Sequence, residues 1–236
     1  MYLEDLQDVY SEVMETLKGG WAGLIAGTLH TLTGPDHLAA LAPLSVGRSK
    51  VQGILLGGIW GMGHNSGQII FAALFLLLKN KLDLDMGLIE AFGTTAVGVT
   101  LCIIGLIGLV ESRNVGKEAA GADGGPGGEV ADAKFNLATF ATGLVHGLQP
   151  DSLFLILPAF AMASKFAATA FLAAFLTGTV LAMASYTAFL SYGSTVIGRK
   201  SPWFNQAVSF GSSLVALAIG VALIFGHFLG LQIGLH

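Results

Sequence analysis

Residues 30 to 37 hold the side chains with the clearest potential for chemistry. They place two imidazoles and a carboxylate inside a long apolar segment, residues 21 to 46, and read His30-Thr31-Leu32-Thr33-Gly34-Pro35-Asp36-His37. Ionisable groups at membrane depth are costly and usually mark a functional site. Imidazole and carboxylate ligands suit borderline divalent ions such as Ni²⁺, Co²⁺, Zn²⁺, Fe²⁺ and Mn²⁺. We therefore predict that His30, Asp36 and His37 bind a divalent transition-metal cation.

Gly34 and Pro35 predict a break in the helix that carries these ligands. A proline removes a backbone donor and clashes with the preceding turn. In an unbroken helix, His30 and His37 would share a face but lie about 10 Å apart along the axis. One metal ion cannot bridge that gap, because metal–nitrogen bonds are about 2.0–2.1 Å for zinc. A break can bring His30, Asp36 and His37 together.

A second motif repeats the order of histidine, short spacer and Pro-Asp nearly half the chain later. It reads His146-Gly147-Leu148-Gln149-Pro150-Asp151-Ser152. We predict His146 and Asp151 as further ligands and Pro150 as a second helix break. The alternative is a chance similarity of two polar interruptions in apolar segments.

A polar cluster in the next apolar segment supplies His64 as a further predicted ligand. Amide and hydroxyl side chains beside the motifs are predicted to orient the ligands; they are Asn65, Ser66, Gln68, Gln149 and Ser152. Structural roles remain open: Asp36 could cap a half-helix, and a lone histidine such as His64 could join two helices.

The composition is that of a membrane protein. Of 236 residues, 53% are hydrophobic and 11% are charged, and the mean hydropathy is +0.73; soluble domains carry roughly 25% charged residues. A net charge of −4 gives no indication of nucleic-acid binding. The single cysteine, Cys102, excludes an internal disulfide. The first 18 residues are acidic and amphipathic, unlike a signal peptide.

Six apolar segments predict six transmembrane helices. Residues 1–18 are predicted to form an amphipathic helix, 19–110 a first three-helix repeat, 111–134 a flexible Gly-rich linker, and 135–236 a second three-helix repeat. Each half carries its motif in its first span, and three crossings invert the second half relative to the first. We therefore predict an all-α membrane protein with a 3+3 inverted repeat, a broken first helix in each half, and a substrate site at the repeat interface.

The motifs resemble those of a known family. The stretch from His30 to Asp36-His37 is similar to the signature of the nickel/cobalt transporter (NiCoT) superfamily, and Gly63-His64-Asn65-Ser66 resembles its second motif. The two Pro-Asp motifs together are more similar to UreH-like membrane proteins, especially plant and algal plastid members. The spacer between His30 and Asp36 has five residues and no acid, whereas the family signature has four and an acid. The resemblance implies a metal pathway through His30, Asp36, His37, His64, His146 and Asp151.

We expect a secondary transporter of a divalent transition-metal cation, of the Ni/Co class or of Mn, Zn or Fe, with no permanently bound cofactor. Because metal ligands must be deprotonated to bind, transport could be coupled to protons. The expected location is a multi-pass position in a plastid membrane, by resemblance, or in a bacterial inner membrane. The expected partners are the cation, the lipid bilayer, and a second copy or a membrane complex.

Three other functions compete with cation transport. A membrane scaffold or assembly factor with a degenerate transport core fits the missing spacer acid and the acidic first helix. An intramembrane metallohydrolase would need a motif such as HExxH, which is absent, so we do not expect an enzyme. Anion transport would use the helix N-termini at the breaks, but the carboxylates Asp36 and Asp151 argue against it.

Overall fold

The computed structural model describes residues 2–78, 86–118, 129–150, 159, 161–198 and 201–228. Over these residues the chain forms seven helices and no strand. They are α1 (Tyr2–Thr33), α2 (Pro35–Ser45), α3 (Lys50–Leu78), α4 (Met86–Glu118), α5 (Glu129–Gly147), α6 (Lys165–Gly198) and α7 (Pro202–Phe228). The prediction of an all-helical protein is confirmed.

Four of the described helices are long and apolar enough to cross a membrane. The qualifying segments are Lys50–Leu78, Gly87–Ser112, Lys165–Gly198 and Trp203–Gly226. They correspond to four of the six predicted spans. The other two predicted spans carry the motifs. In the first of them the break at Gly34 divides the apolar stretch, and in the second the described residues are interrupted after Pro150. The six-helix repeat therefore stays a prediction.

The helical conformation is interrupted at Gly34, between α1 and α2. This residue has an extended backbone (φ −79°, ψ 99°), and Pro35 begins α2. The amide of Gly34 still donates to the His30 carbonyl at 3.2 Å, so helical bonding continues up to the break. A proline is well accommodated at this position because the first amides of a helix have no partner within it.

The helix boundaries around residue 18 and around the predicted linker differ from the sequence expectation. Helix α1 runs through residue 18 without interruption, although the sequence changes there from acidic to apolar. Helix α4 reaches Glu118 and α5 begins at Glu129, so the segment between them is shorter than the predicted linker. Helix α5 ends at Gly147, and Pro150 lies in the turn that follows. Asp151 and Ser152 lie outside the described residues.

Helix α2 occupies the centre of the packed helices. It contacts α4, α6 and α7, and seven of its 11 residues are buried. The hydrophobic core forms around it and contains Ala39, Ala40, Leu41, Trp60, Val97, Leu101, Ile104, Met183, Ala216 and Leu223. The short helix after the break is therefore held in place by both halves of the chain, together with the ligands at its start.

Glycines allow the long helices to approach closely. A Cβ at Gly23 or Gly27 of α1 would collide with the carbonyls of Phe171 and Phe175 of α6. In the same way, a Cβ at Gly63 of α3 would collide with the Phe140 carbonyl of α5. Small residues at such contacts are typical of helices that associate in membranes, where packing rather than hydrophobic exclusion holds them together.

Buried hydroxyls on α6 join it to the first half of the chain. Thr179 donates to the Gly27 carbonyl of α1 at 3.4 Å, and Thr187 donates to the Gly53 carbonyl of α3 at 2.7 Å. Ser191 donates to the carbonyl of Ser45, the last residue of α2, at 2.9 Å. These bonds fix α1, α2 and α3, which carry the ligands of the site, against one common helix.

Candidate metal centre

Three buried histidines from three helices converge at the break. They are His30 near the end of α1, His37 at the start of α2 and His64 in the middle of α3. One nitrogen from each ring lies within 4.8 Å of the others. The ring centroids are 5.1 Å apart for His30 and His37, and 4.7 Å apart for His37 and His64. We call these three residues the histidine triad.

Two nitrogens of the triad have the spacing of ligands to one metal ion. Tetrahedral zinc with bonds of 2.0–2.1 Å holds its nitrogen ligands roughly 3.3 Å from one another, and the Nε2 atoms of His30 and His64 are 3.4 Å apart. All three ligand nitrogens lie within 4.8 Å of one another, so binding of one ion by the three rings would draw them closer together.

Several polar atoms of the triad have no hydrogen-bond partner. Both ring nitrogens of His37 and the Nδ1 atom of His64 are buried and unpaired. Most buried polar atoms in proteins are hydrogen-bonded, and an unpaired one calls for an explanation such as a ligand. Neutral imidazole nitrogens with free lone pairs are the donors that divalent transition metals prefer.

Gly34 allows His37 to reach this position. A Cβ on Gly34 would overlap the Nδ1 atom of His37 and lie 2.9 Å from its Cε1 atom. Pro35 then starts α2 so that His37 turns back toward α1. The sequence pattern of histidine, Gly-Pro and Asp-His therefore has a direct geometric meaning.

Asp36 lies beside the triad in the first turn of α2. The residue is 7% exposed, and its Oδ2 atom lies 3.9 Å from the Nε2 atom of His37. A negative group is favourable at a helix N-terminus. Stabilisation of α2 and cation attraction are thus compatible roles for one side chain.

The predicted orienting residues take different positions. The Nε2 atom of Gln68 lies 3.2 Å from the Nε2 atom of His30, and its Oε1 atom is buried without a partner. Asn65 donates to the Leu176 carbonyl of α6 at 2.9 Å, and Ser66 donates to the Met62 carbonyl of its own helix at 2.8 Å. Gln149 lies in the turn after α5. Of these residues, Gln68 contacts the triad directly.

His146 lies apart from the triad. Its ring is fully buried in the last turn of α5, and its Nδ1 atom is 3.0 Å from the Thr142 carbonyl. It is not among the three rings whose nitrogens fall within 4.8 Å of one another. The structure therefore brings His30, His37 and His64 together with Asp36 beside them, and it places His146 in contact with Trp60.

Two aromatic residues that the sequence analysis missed contact these histidines. Trp60 is fully buried, with its ring centroid 5.4 Å from that of His64, 5.8 Å from that of His37 and 5.0 Å from that of His146. Phe175 lies 5.8 Å from His30. The position of Trp60, one turn before His64, is a sequence signal for the first contact. Phe175 lies in an apolar run, and the sequence around it carries no comparable signal.

The fold and the triad define an all-helical protein of membrane type with a buried histidine cluster at a helix break. Two chloroplast proteins are similar to most of this chain. The chain is 45% identical to Chloroplast protein FOR GROWTH AND FERTILITY 2 of Arabidopsis thaliana over 222 residues, and 45% identical to Chloroplast protein FOR GROWTH AND FERTILITY 1 of the same plant over 226 residues. These alignments cover 93% and 92% of this chain but 59% and 61% of the relatives.

A third relative is more distant but is matched over nearly its full length. The chain is 22% identical over 229 residues to the urease accessory protein UreH of Bacillus sp. (strain TB-90), covering 90% of this chain and 92% of that protein. No family model and no solved structure matches the chain. The similarities support the predicted relationship to UreH and to plastid proteins, and none of the three relatives is named as an enzyme.

Proposed function

We propose that this chain is a secondary transporter of a divalent transition-metal cation, with the histidine triad as the cargo site. The carrying observation is that three buried imidazoles from α1, α2 and α3 meet at a helix break with unpaired nitrogens. A cargo site must bind strongly enough to capture the ion and weakly enough to release it. Three imidazoles with a nearby carboxylate, and no thiolate, meet both conditions for ions of the Ni/Co class.

Contacts between the halves support the proposed inverted repeat. Gly27 packs on the Phe175 carbonyl of α6, and Gly143 of α5 packs on the Trp60 carbonyl of α3. Each glycine lies three residues before a motif histidine, His30 or His146. Exchange of the two halves therefore converts the α1–α6 contact into the α5–α3 contact. Such a relation is expected when two inverted halves enclose a site near the middle of the membrane.

The same correspondence makes the proposed cargo site asymmetric. Gly63 packs on the Phe140 carbonyl, and Gly178 packs on the Leu24 carbonyl. Gly63 in the first half is therefore equivalent to Gly178 in the second half, and so are the residues that follow them. Those positions hold His64 and Thr179. The hydroxyl of Thr179 donates hydrogen bonds to the carbonyls of Phe175 and Gly27. On this basis, the first half supplies the ligands and the second half supplies the helix that holds them.

We further propose a plastid membrane as the location. Two relatives at 45% identity are named as chloroplast proteins, and four helices of this chain are apolar enough to cross a membrane. The chain spans about three fifths of each of these relatives, so segments outside the matched region could also contribute to location and activity in the whole protein.

Uptake into proteoliposomes tests the proposal. The purified chain is reconstituted and uptake of Ni²⁺, Co²⁺, Zn²⁺, Mn²⁺ and Fe²⁺ is compared, with Asp36→Asn and His37→Ala as disabling variants and Ser66→Ala as the matched control. We expect selective uptake that both disabling variants lose and the control retains. Absence of uptake for every ion, with the protein folded, would contradict the proposal.

Proton coupling is a separate part of the proposal. Histidine ligands bind metal only when they are unprotonated, so protons and metal compete for the triad. We expect metal uptake to accelerate when a pH gradient drives protons out as metal enters. Uptake that is indifferent to an imposed pH gradient would exclude this coupling while leaving the cargo site intact.

One observation favours a second function, that of a membrane scaffold. The first half of α1 exposes Val9, Tyr10, Val13 and Leu17 along one side, and its other face is acidic. Such a surface is available to a protein partner. Copurification of the chain in a stoichiometric complex, together with absence of metal uptake, would favour this function.

A further inference from the structure

His146 is a buried ligand group that the triad does not use. Its Nδ1 atom faces the Thr142 carbonyl at 3.0 Å, so Nδ1 carries the proton and donates it to that oxygen. In the neutral ring, Nε2 must then hold a free lone pair. This Nε2 atom is buried without a partner, and the whole residue is 0% exposed. A fixed, unprotonated and unpaired nitrogen is prepared to bind a cation.

Asp36 places negative charge in the same core. Its Oδ2 atom lies 3.9 Å from the Nε2 atom of His37, and the residue is 7% exposed. A buried carboxylate of this kind attracts a cation that enters the core.

Trp60 contacts both His146 and the histidine triad. Its indole is stacked on His64 at an interplanar angle of 8°, and it is tilted by 60° against His146. The indole Nε1–H is buried without a partner. The face of an indole attracts cations at short range, so a ring in this position can both separate two sites and let an ion pass when it moves.

We propose that His146 forms a second binding station for the same cation, and that the Trp60 indole separates this station from the histidine triad. The proposal rests on the proposed transport function. The ion would move from one group of ligands to the other as the indole turns aside. Phe175, which occupies the corresponding position in the other half and covers His30, would be the matching barrier on the opposite side of the triad.

The barrier role is tested by a crossed accessibility experiment on the full chain. In a Cys102→Ser background, the reporters His146→Cys and His30→Cys are each combined with Trp60→Ala or Phe175→Ala, and the rate of labelling by a small methanethiosulfonate reagent is measured. We expect Trp60→Ala to accelerate labelling at position 146 several-fold, and Phe175→Ala to do so at position 30. Leu41→Ala, which opens a cavity in the same core, is the matched control and should change neither rate.

Two results would overturn the barrier role. Labelling at position 146 could be unaffected by Trp60→Ala, or Leu41→Ala could accelerate it equally, which would mean that any cavity loosens the core. This readout needs no metal and no transport. It therefore remains informative even if the proposed transport function fails.

The station is tested by separating Ni²⁺ binding from Ni²⁺ uptake in His146→Gln. With the triad intact, we expect equilibrium Ni²⁺ affinity to stay close to that of the parent, while the maximal uptake rate falls sharply. An equal loss of affinity in His146→Gln and His37→Ala would show a single shared site, and unchanged affinity and uptake would remove His146 from the path. Absence of Ni²⁺ binding by the parent protein would instead contradict the proposed function.

Discussion

At the residue scale, the Nε2 atom of His30 contacts two other polar side chains of the site. It lies 3.4 Å from the Nε2 atom of His64 and 3.2 Å from the Nε2 atom of Gln68. An amide nitrogen can only donate, so the Gln68 bond requires His30 to present a lone pair from Nε2. A metal ion bound at this Nε2 atom would take the same lone pair. Gln68 therefore competes with the ion for His30 and must turn aside when the ion binds.

We predict that Gln68→Leu strengthens Ni²⁺ affinity several-fold, because the change keeps the approximate size of the side chain but removes the donor that competes with the ion for the Nε2 lone pair of His30. Titration calorimetry on the detergent-solubilised chain provides the measurement. Ser66→Ala is the control, since Ser66 bonds to the Met62 carbonyl of its own helix, and it should leave affinity unchanged. Weaker binding in Gln68→Leu would contradict this competition.

At the element scale, the break between α1 and α2 determines whether the triad exists. Gly34 is extended and has no Cβ, so the ring of His37 can lie directly against it. Helix α2 is then buried between α4, α6 and α7. A short buried helix directly after an extended glycine therefore brings ligands from two consecutive helices together without a longer loop.

We predict that Gly34→Ala lowers Ni²⁺ affinity because the new methyl group would displace the ring of His37. Gly20→Ala, at a position of α1 where a Cβ meets nothing within 4 Å, should leave affinity unchanged. The same calorimetric titration measures both. Unaltered binding in Gly34→Ala would show that His37 does not need this approach to the backbone.

Helix packing provides a second test at this scale, with two glycines of α3. A Cβ at Gly63 would collide with the Phe140 carbonyl, whereas a Cβ at Gly58 meets nothing within 4 Å. We predict that Gly63→Ala destabilises the chain by about 1–3 kcal/mol, as overpacking typically does, while Gly58→Ala is neutral or stabilises by up to about 1 kcal/mol through helix propensity. Thermal unfolding in detergent distinguishes the two, and equal effects would contradict the packing.

At the scale of the whole molecule, α1 and α2 together can provide one membrane crossing. Counted along their axes at 1.5 Å per residue, the two helices contain roughly 40 Å of helix from Lys18 to Ser45. This exceeds the roughly 30 Å of a bilayer core, so they suffice for one crossing if α2 continues in the direction of α1. We predict that Lys18→Cys and Ser49→Cys, both at exposed positions, react with an impermeant thiol reagent from opposite sides of the membrane in a Cys102→Ser background. Reaction from the same side would mean that this segment re-enters the membrane without crossing it.

The sequence predicts the triad better than it predicts the surroundings of the triad. His30, His37 and His64 are conspicuous because ionisable residues in apolar segments are rare, and the Gly-Pro pair explains how they meet. Trp60 has only its position one turn before His64 as a signal, and Phe175 has none. Aromatic residues also occur on exposed faces, since Phe189 and Trp203 are 74% and 73% exposed. Tertiary packing is what distinguishes a buried aromatic such as Phe175 from these exposed ones.

Helix boundaries were harder to predict for a different reason. The change from acidic to apolar sequence near residue 18 marks the expected membrane surface, but backbone hydrogen bonding in α1 continues through it. Composition reports the environment of a segment, whereas a helix ends where its backbone bonding ends. The end of α4 shows the same distinction, because α4 continues to Glu118, past residue 111, where the flexible Gly-rich linker was predicted to begin.

The X-ray absorption spectrum of the Ni²⁺-loaded protein at the nickel edge tests the cargo site most directly. The account predicts scattering from three imidazole rings in the parent chain, from two in His37→Ala, and an unchanged three in Ser66→Ala. A nickel environment without imidazole scattering, or one that is the same in His37→Ala as in the parent, would contradict the assignment of the histidine triad as the cargo site.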